Sequence, residues 1–168
     1  MVILITQWIR WVMKINVASK QYSLDTESYE IYVSGCNPPH CHNCHNPELW
    51  DFGHGKIIDD DFYSELKADI IEKDLMIEHI FIIGGEPLHQ DKDDLIKLLS
   101  FLKQFNKTIW VFTGELLKSV DKDILDLIDY IKCGKYVESK KNNKETYGIT
   151  LASSNQRLYR KVNKEWVR

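Results

Sequence analysis

EHIFIIGGEP, residues 78–87, is an apolar run stopped by two glycines, with a proline close behind. So short a run, bounded this way and rich in isoleucine, predicts a strand buried on both faces. KTIWVFTG at 107–114 repeats the pattern. YEIYVSG at 29–35 and DYIKCGKYV at 129–137 also read as strands, the first ending on a glycine. The segments between them have helical spacing. Phe62, Leu66 and Ile70 recur every four residues within 60–75, with Asp59 and Asp60 placed as N-caps. Leu95, Leu98, Leu99, Leu102 and Phe105 mark a second helix in 91–105, and 115–128 carries a third with a break near Asp121. This alternation predicts an α/β protein built from βαβ units, with mostly parallel strands. In such sheets ligands bind beyond the carboxyl ends of the strands. Three motifs should therefore meet at one edge: the cysteine-rich stretch after the first strand, GGEP after the second, and TGE after the third.

The bulk properties are those of one globular domain spanning 1–168. Hydrophobic residues make up 43% and charged residues 28%, enough for a sizeable core. A net charge of -3 gives no reason to expect a nucleic-acid partner. The N-terminus, MVILITQWIRWVMKINV, begins with an apolar run, but Gln7, Arg10 and Lys14 interrupt it before it could span a bilayer. It also lacks the basic start and small-residue cleavage site of a secretory signal. No membrane association is expected, and the reading is of a cytoplasmic protein. Of the four cysteines, three crowd into GCNPPHCHNCHNPELW, residues 35–50, which suits metal or redox chemistry better than a disulfide framework.

Two readings of Cys36, Cys41 and Cys44 stand side by side. One is a structural zinc site completed by His40, His42 or His45. The other is an iron–sulfur cluster with one iron lacking a protein ligand, since such clusters normally take four cysteines. Downstream there is no second pair of zinc ligands: Cys133 is alone, and His54, His79 and His89 are scattered. In GGEP, Gly84 and Gly85 allow close backbone approach to a ligand, Pro87 opens the next segment, and Glu86 can pair with a ligand ammonium. Read blandly, the same residues make a strand-to-helix turn.

A cysteine-rich loop after one strand and GGEP after the next resembles the radical S-adenosylmethionine enzymes. The resemblance implies a partial, open (β/α) barrel. It also implies a [4Fe–4S] cluster on Cys36, Cys41 and Cys44, and S-adenosylmethionine bound to the remaining iron. Gly84, Gly85, Glu86 and Pro87 would bind that cofactor, and Thr113 would reach its ribose or methionine part. No catalytic side chain is implied beyond the cluster and cofactor. NPELW, CGKYV at 133–137 and SSNQR at 153–157 narrow the resemblance to the activating enzymes of anaerobic ribonucleoside-triphosphate reductases. Such enzymes take an electron from an external donor such as flavodoxin or ferredoxin. They cleave S-adenosylmethionine to methionine and a 5′-deoxyadenosyl radical, and leave a glycyl radical on the reductase large subunit. Four residues separate Cys36 from Cys41 where the common family spacing has three, Cys133 stands where aspartate is expected, and the glycine turn before the first strand is absent. The alternatives are a small-molecule substrate, as in the enzyme that makes 7-carboxy-7-deazaguanine, another glycyl-radical partner, or an inactive zinc-binding interaction module. Cys133 reads as an idle buried thiol, DFGHGK as a loop near the cluster, ESKKNNKETYG as a solvated loop, and RLYRKV as a last strand.

Overall fold

Residues 15–168 are described by the computed structural model of the protein. Of the apolar N-terminal stretch, all but Ile15 to Val17 lies outside these described residues. The described residues begin with two antiparallel strands, β1 (Asn16–Ser23) and β2 (Ser28–Val33), followed after the cysteine segment by the short β3 (Lys56–Ile57). Then α1 (Asp60–Glu72), β4 (His79–Gly84), α2 (Lys92–Leu102), β5 (Thr108–Phe112), α3 (Lys122–Leu127) and β6 (Tyr130–Cys133) alternate. A hairpin of β7 (Lys141–Thr146) and β8 (Ile149–Ser153) precedes β9 (Arg157–Val162) and β10 (Glu165–Val167).

Eight strands form one sheet in the order β10-β9-β6-β5-β4-β2-β1-β3, and β7 and β8 pair separately. The central four, β2, β4, β5 and β6, are parallel, as the alternation of elements requires. Antiparallel strands flank this parallel centre on both sides, which makes the sheet mixed at its edges.

Side-chain alternation divides the core between the two faces of the sheet. Ile80 and Ile82 of β4 join Ile31, Ile109, Val111 and Ile131 under the helices, which contribute Leu66, Ile70, Leu95, Leu98, Leu99 and Leu102. Burying each such side chain contributes about 1.5–3 kcal/mol, so this layer dominates stability. Phe81, between Ile80 and Ile82, points to the other face and packs with Trp110, Leu151 and Leu158. Both faces of β4 are therefore buried. Each helix starts on an aspartate whose carboxylate accepts first-turn amides: Asp59 from Phe62, Asp91 from Asp93 and Asp94, and Asp121 from Asp123. Asp121 is where the third helical segment breaks, a short turn at Leu117–Ser119 preceding it.

Two stretches differ from the expectation. Residues 16–23 form β1, although their polar sequence carries no strand pattern. Most of ESKKNNKETYG forms a turn and strand β7, not a solvated loop. Its partner β8 supplies the apolar Leu151, and Tyr147 and Gly148, with φ of 50° and 75°, make the tight turn between them.

Candidate active site

The parallel register brings Val33 opposite Gly84 and Phe112 opposite Lys132, so the loops after β2, β4, β5 and β6 leave the sheet together. Main-chain hydrogen bonds stitch the first two loops into one surface. Gly85 donates to the Val33 carbonyl at 2.7 Å, Glu86 to Gly35 at 2.8 Å, and Gly35 to Leu49 at 2.8 Å. This contact is why Gly85 must lack a side chain. A Cβ there would lie 2.5 Å from the Gly35 oxygen and 2.8 Å from that of Leu49, both immovable backbone atoms. Gly35 and Gly84 adopt φ of +108° and +109°, a region that glycine alone enters freely.

NPELW folds the cysteine segment back on itself. Trp50 accepts the Cys36 amide on its carbonyl at 3.2 Å and stacks its indole on His40, ring centroids 4.0 Å apart. The His40 Nε2 lies 2.9 Å from the Cys36 carbonyl oxygen. His40 is thus committed to this loop, and His42 and His45 are exposed. Cys36, Cys41 and Cys44 are free thiols that line one cavity of about 460 Å³, together with Gly84, Gly85 and Glu86. Among the described residues, no three His, Cys, Asp or Glu side chains already close around a single point. Burial, then the nearby Glu86 carboxylate and the neighbouring thiols, push the Cys36 thiol up to about 11. Such a thiol ionises when a cation binds it. Cys133 faces away, into the core under the helices, and burial raises its thiol to about 12. It belongs to packing.

Glu86 is only 5% exposed, and its carboxylate is held by three donors. Thr113 Oγ1 donates to Oε1 at 2.6 Å, the Leu88 amide to Oε1 at 3.0 Å, and the Gly114 amide to Oε2 at 2.7 Å. A carboxylate fixed this way is oriented before any ligand arrives. Thr113, expected near the cofactor, borders the cavity but spends its hydroxyl on Glu86. Pro87 is buried at the start of the following turn. The loop of DFGHGK does not reach the cavity; its Phe52 ring packs on Gly35 instead.

Three side chains on the cavity wall are not among the expected site residues: Lys132, Lys135 and His89. Lys132 sits on β6, and burial lowers the affinity of its amine for a proton despite the pull of Glu86 and Cys41. Among the described residues its one hydrogen bond is long, 3.4 Å to the Gly134 carbonyl. SSNQR and CGKYV are two halves of one unit. Gln156 Nε2 donates to Gly134 O at 3.0 Å, Asn155 Nδ2 to Lys135 O at 2.8 Å, and the Val137 amide to Ser153 Oγ at 3.2 Å. The polar turn before β9 thereby shapes the loop that carries Lys135.

Residues 28–159, from β2 into β9, match the family model of the 4Fe-4S single cluster domain. The anaerobic ribonucleoside-triphosphate reductase-activating protein of Haemophilus influenzae is 29% identical over 116 residues, covering 66% of this chain and 74% of its own. Its namesake in Escherichia coli K12 is 29% identical over 118 residues, 67% of this chain and 76% of its own. The Vibrio cholerae protein of that name is 25% identical over 116 residues, 66% and 74% of the two chains. The family match favours an iron–sulfur cluster over zinc.

Proposed function

Because this chain belongs to the 4Fe-4S single cluster domain family, we propose that it is a radical S-adenosylmethionine activating enzyme. Its target is a glycine of an anaerobic ribonucleoside-triphosphate reductase, the protein named in its relatives. One observation carries the reading: three free thiols and a pre-oriented carboxylate border one cavity beyond the carboxyl ends of parallel strands. The whole chain acts as one domain, a partial and open (β/α) barrel.

Cys36, Cys41 and Cys44 would hold a [4Fe–4S] cluster. Three thiolates would leave one iron of such a cluster for a ligand from outside the chain, and His40 is already engaged by Trp50 and the Cys36 carbonyl. When bound, the cluster and S-adenosylmethionine supply a reductive sulfonium cleavage that ends in loss of a hydrogen atom from the target glycine. The chain's residues bind and orient. The turn at Gly84 to Pro87 lets main-chain groups approach the methionine part, and Glu86 takes its ammonium, held in place by Thr113 and the Gly114 amide. Lys132, on the wall of the same cavity, would donate to the cofactor's carboxylate. Phe81, Ile83 and Phe112 give the cavity an apolar floor, which excludes water from a reactive site. A glycine target suits a site open to a partner's loop, because glycine presents no side chain to block approach. The electron comes from an external donor such as flavodoxin or ferredoxin.

Reconstituted anaerobically with iron and sulfide, the chain should release 5′-deoxyadenosine from S-adenosylmethionine when given a strong reductant. A colourless zinc protein, or a brown one that releases none, would overturn the reading.

A further inference from the structure

Four residues separate Cys36 from Cys41, and they form no helix or strand, yet side chains from neighbouring loops tie them down. The Asn37 amide donates to Nδ1 of His89 at 2.9 Å. The other ring nitrogen of His89 faces Glu115 Oε1 at 3.4 Å. That pairing puts the proton on Nε2 and leaves the Nδ1 lone pair free to accept. Lys135 Nζ donates to the Pro39 carbonyl at 3.0 Å. Just before the segment, the Gln90 amide reaches the carbonyls of Ser34 and Gly35 at 3.1 and 3.2 Å. His89 follows GGEP on the loop after β4, Glu115 lies on the loop after β5, and Lys135 on the loop after β6. Two strand-end loops therefore reach the segment that sets the distance between two thiols, and a third braces His89.

We propose that His89 and Lys135 are positioning residues that grip the Cys36–Cys41 segment from two sides. They hold its four-residue spacing in the shape that offers both cysteines to one cluster. The inference rests on the reading that these cysteines hold a cluster. A ligand loop ordered in advance loses less conformational freedom when metal binds, so it binds more tightly. His89 is not itself available as a ligand through Nδ1, because the Asn37 amide occupies that lone pair.

Two readouts on the full chain test the grip. In the metal-free protein, His89→Leu should speed amide exchange at Asn37, whereas His89→Asn, whose Oδ1 can stand in for Nδ1, should restore slow exchange. In the reconstituted protein, His89→Leu and Lys135→Met should each speed loss of iron to a chelator by roughly two- to tenfold, the worth of one net hydrogen bond. His89→Asn and Lys135→Arg should return the rate to near that of the parent. Unchanged exchange and iron loss in His89→Leu and Lys135→Met would overturn the proposal. So would rescue variants that lose iron as fast as the disruptive ones, since that pattern marks a general packing defect. A parent chain that takes up no cluster would sink the reading of the cysteines instead. The exchange measurement needs no metal and would still decide whether His89 holds the segment.

Discussion

Single replacement of Cys36, Cys41 or Cys44 by alanine will leave the anaerobically reconstituted chain without a cluster, whereas Cys133→Ala will keep the parent's complement of about four irons. The three thiols border one cavity, and Cys133 lies on the opposite side of β6, packed under the helices. Two thiolates are too few for a cluster that normally takes at least three, and His40 is tied to Trp50 and Cys36. Iron and sulfide content, with the visible absorption of the reconstituted proteins, checks this. A cluster retained in any of the three variants, or lost in Cys133→Ala, would mean that the ligand assignment is wrong.

Glu86→Ala will weaken S-adenosylmethionine binding by about 1–3 kcal/mol, roughly fivefold to more than a hundredfold, while sparing the iron. The loss has two sources. The ligand ammonium forfeits its counter-charge, and the Thr113 hydroxyl with the Leu88 and Gly114 amides forfeits its acceptor. The second source also lowers the stability of the metal-free chain, because buried donors are left unpaired. Glu86→Gln separates the two in part, because only the Gly114 amide then lacks an acceptor. Its carbonyl can still accept from Thr113 and Leu88, its amide nitrogen faces the Gly114 N–H, and the charge is gone. Equilibrium binding to the reconstituted variants measures the effect. An unchanged dissociation constant in Glu86→Ala would reduce GGEP to a structural turn.

The centre of this protein is legible in its sequence because there pattern and packing agree. Ile80, Phe81 and Ile82 are buried on alternate faces of β4, so the whole run had to be apolar. Phe62, Leu66 and Ile70 carry the stripe of α1, and its aspartate cap is Asp59. The flanks are less legible. In β1 the pairing slips between Val17 and Ser19, which breaks the two-residue alternation, and the rest of the strand is polar. β7 is a charged strand in a separate hairpin, specified by the Tyr147–Gly148 turn and by its partner rather than by its own residues. In the site, the cysteines and GGEP stand out because their spacing is unusual. Lys132 was readable in principle, as a lone cation inside the apolar strand YIKC. His89 and Lys135 were not, since their contacts join loops far apart in the chain. The extra residue between Cys36 and Cys41 could be noted from the sequence, but not the side chains that hold it.

The most direct test of the account is electron paramagnetic resonance on the reductase after anaerobic incubation with this chain, S-adenosylmethionine and a reductant. The account predicts a glycyl radical on the reductase that requires all three additions, does not form with Cys36→Ala, and marks the residue at which oxygen then cleaves the chain. A reductase that acquires no radical, while this chain turns over a deazapurine precursor or another small molecule, would contradict it.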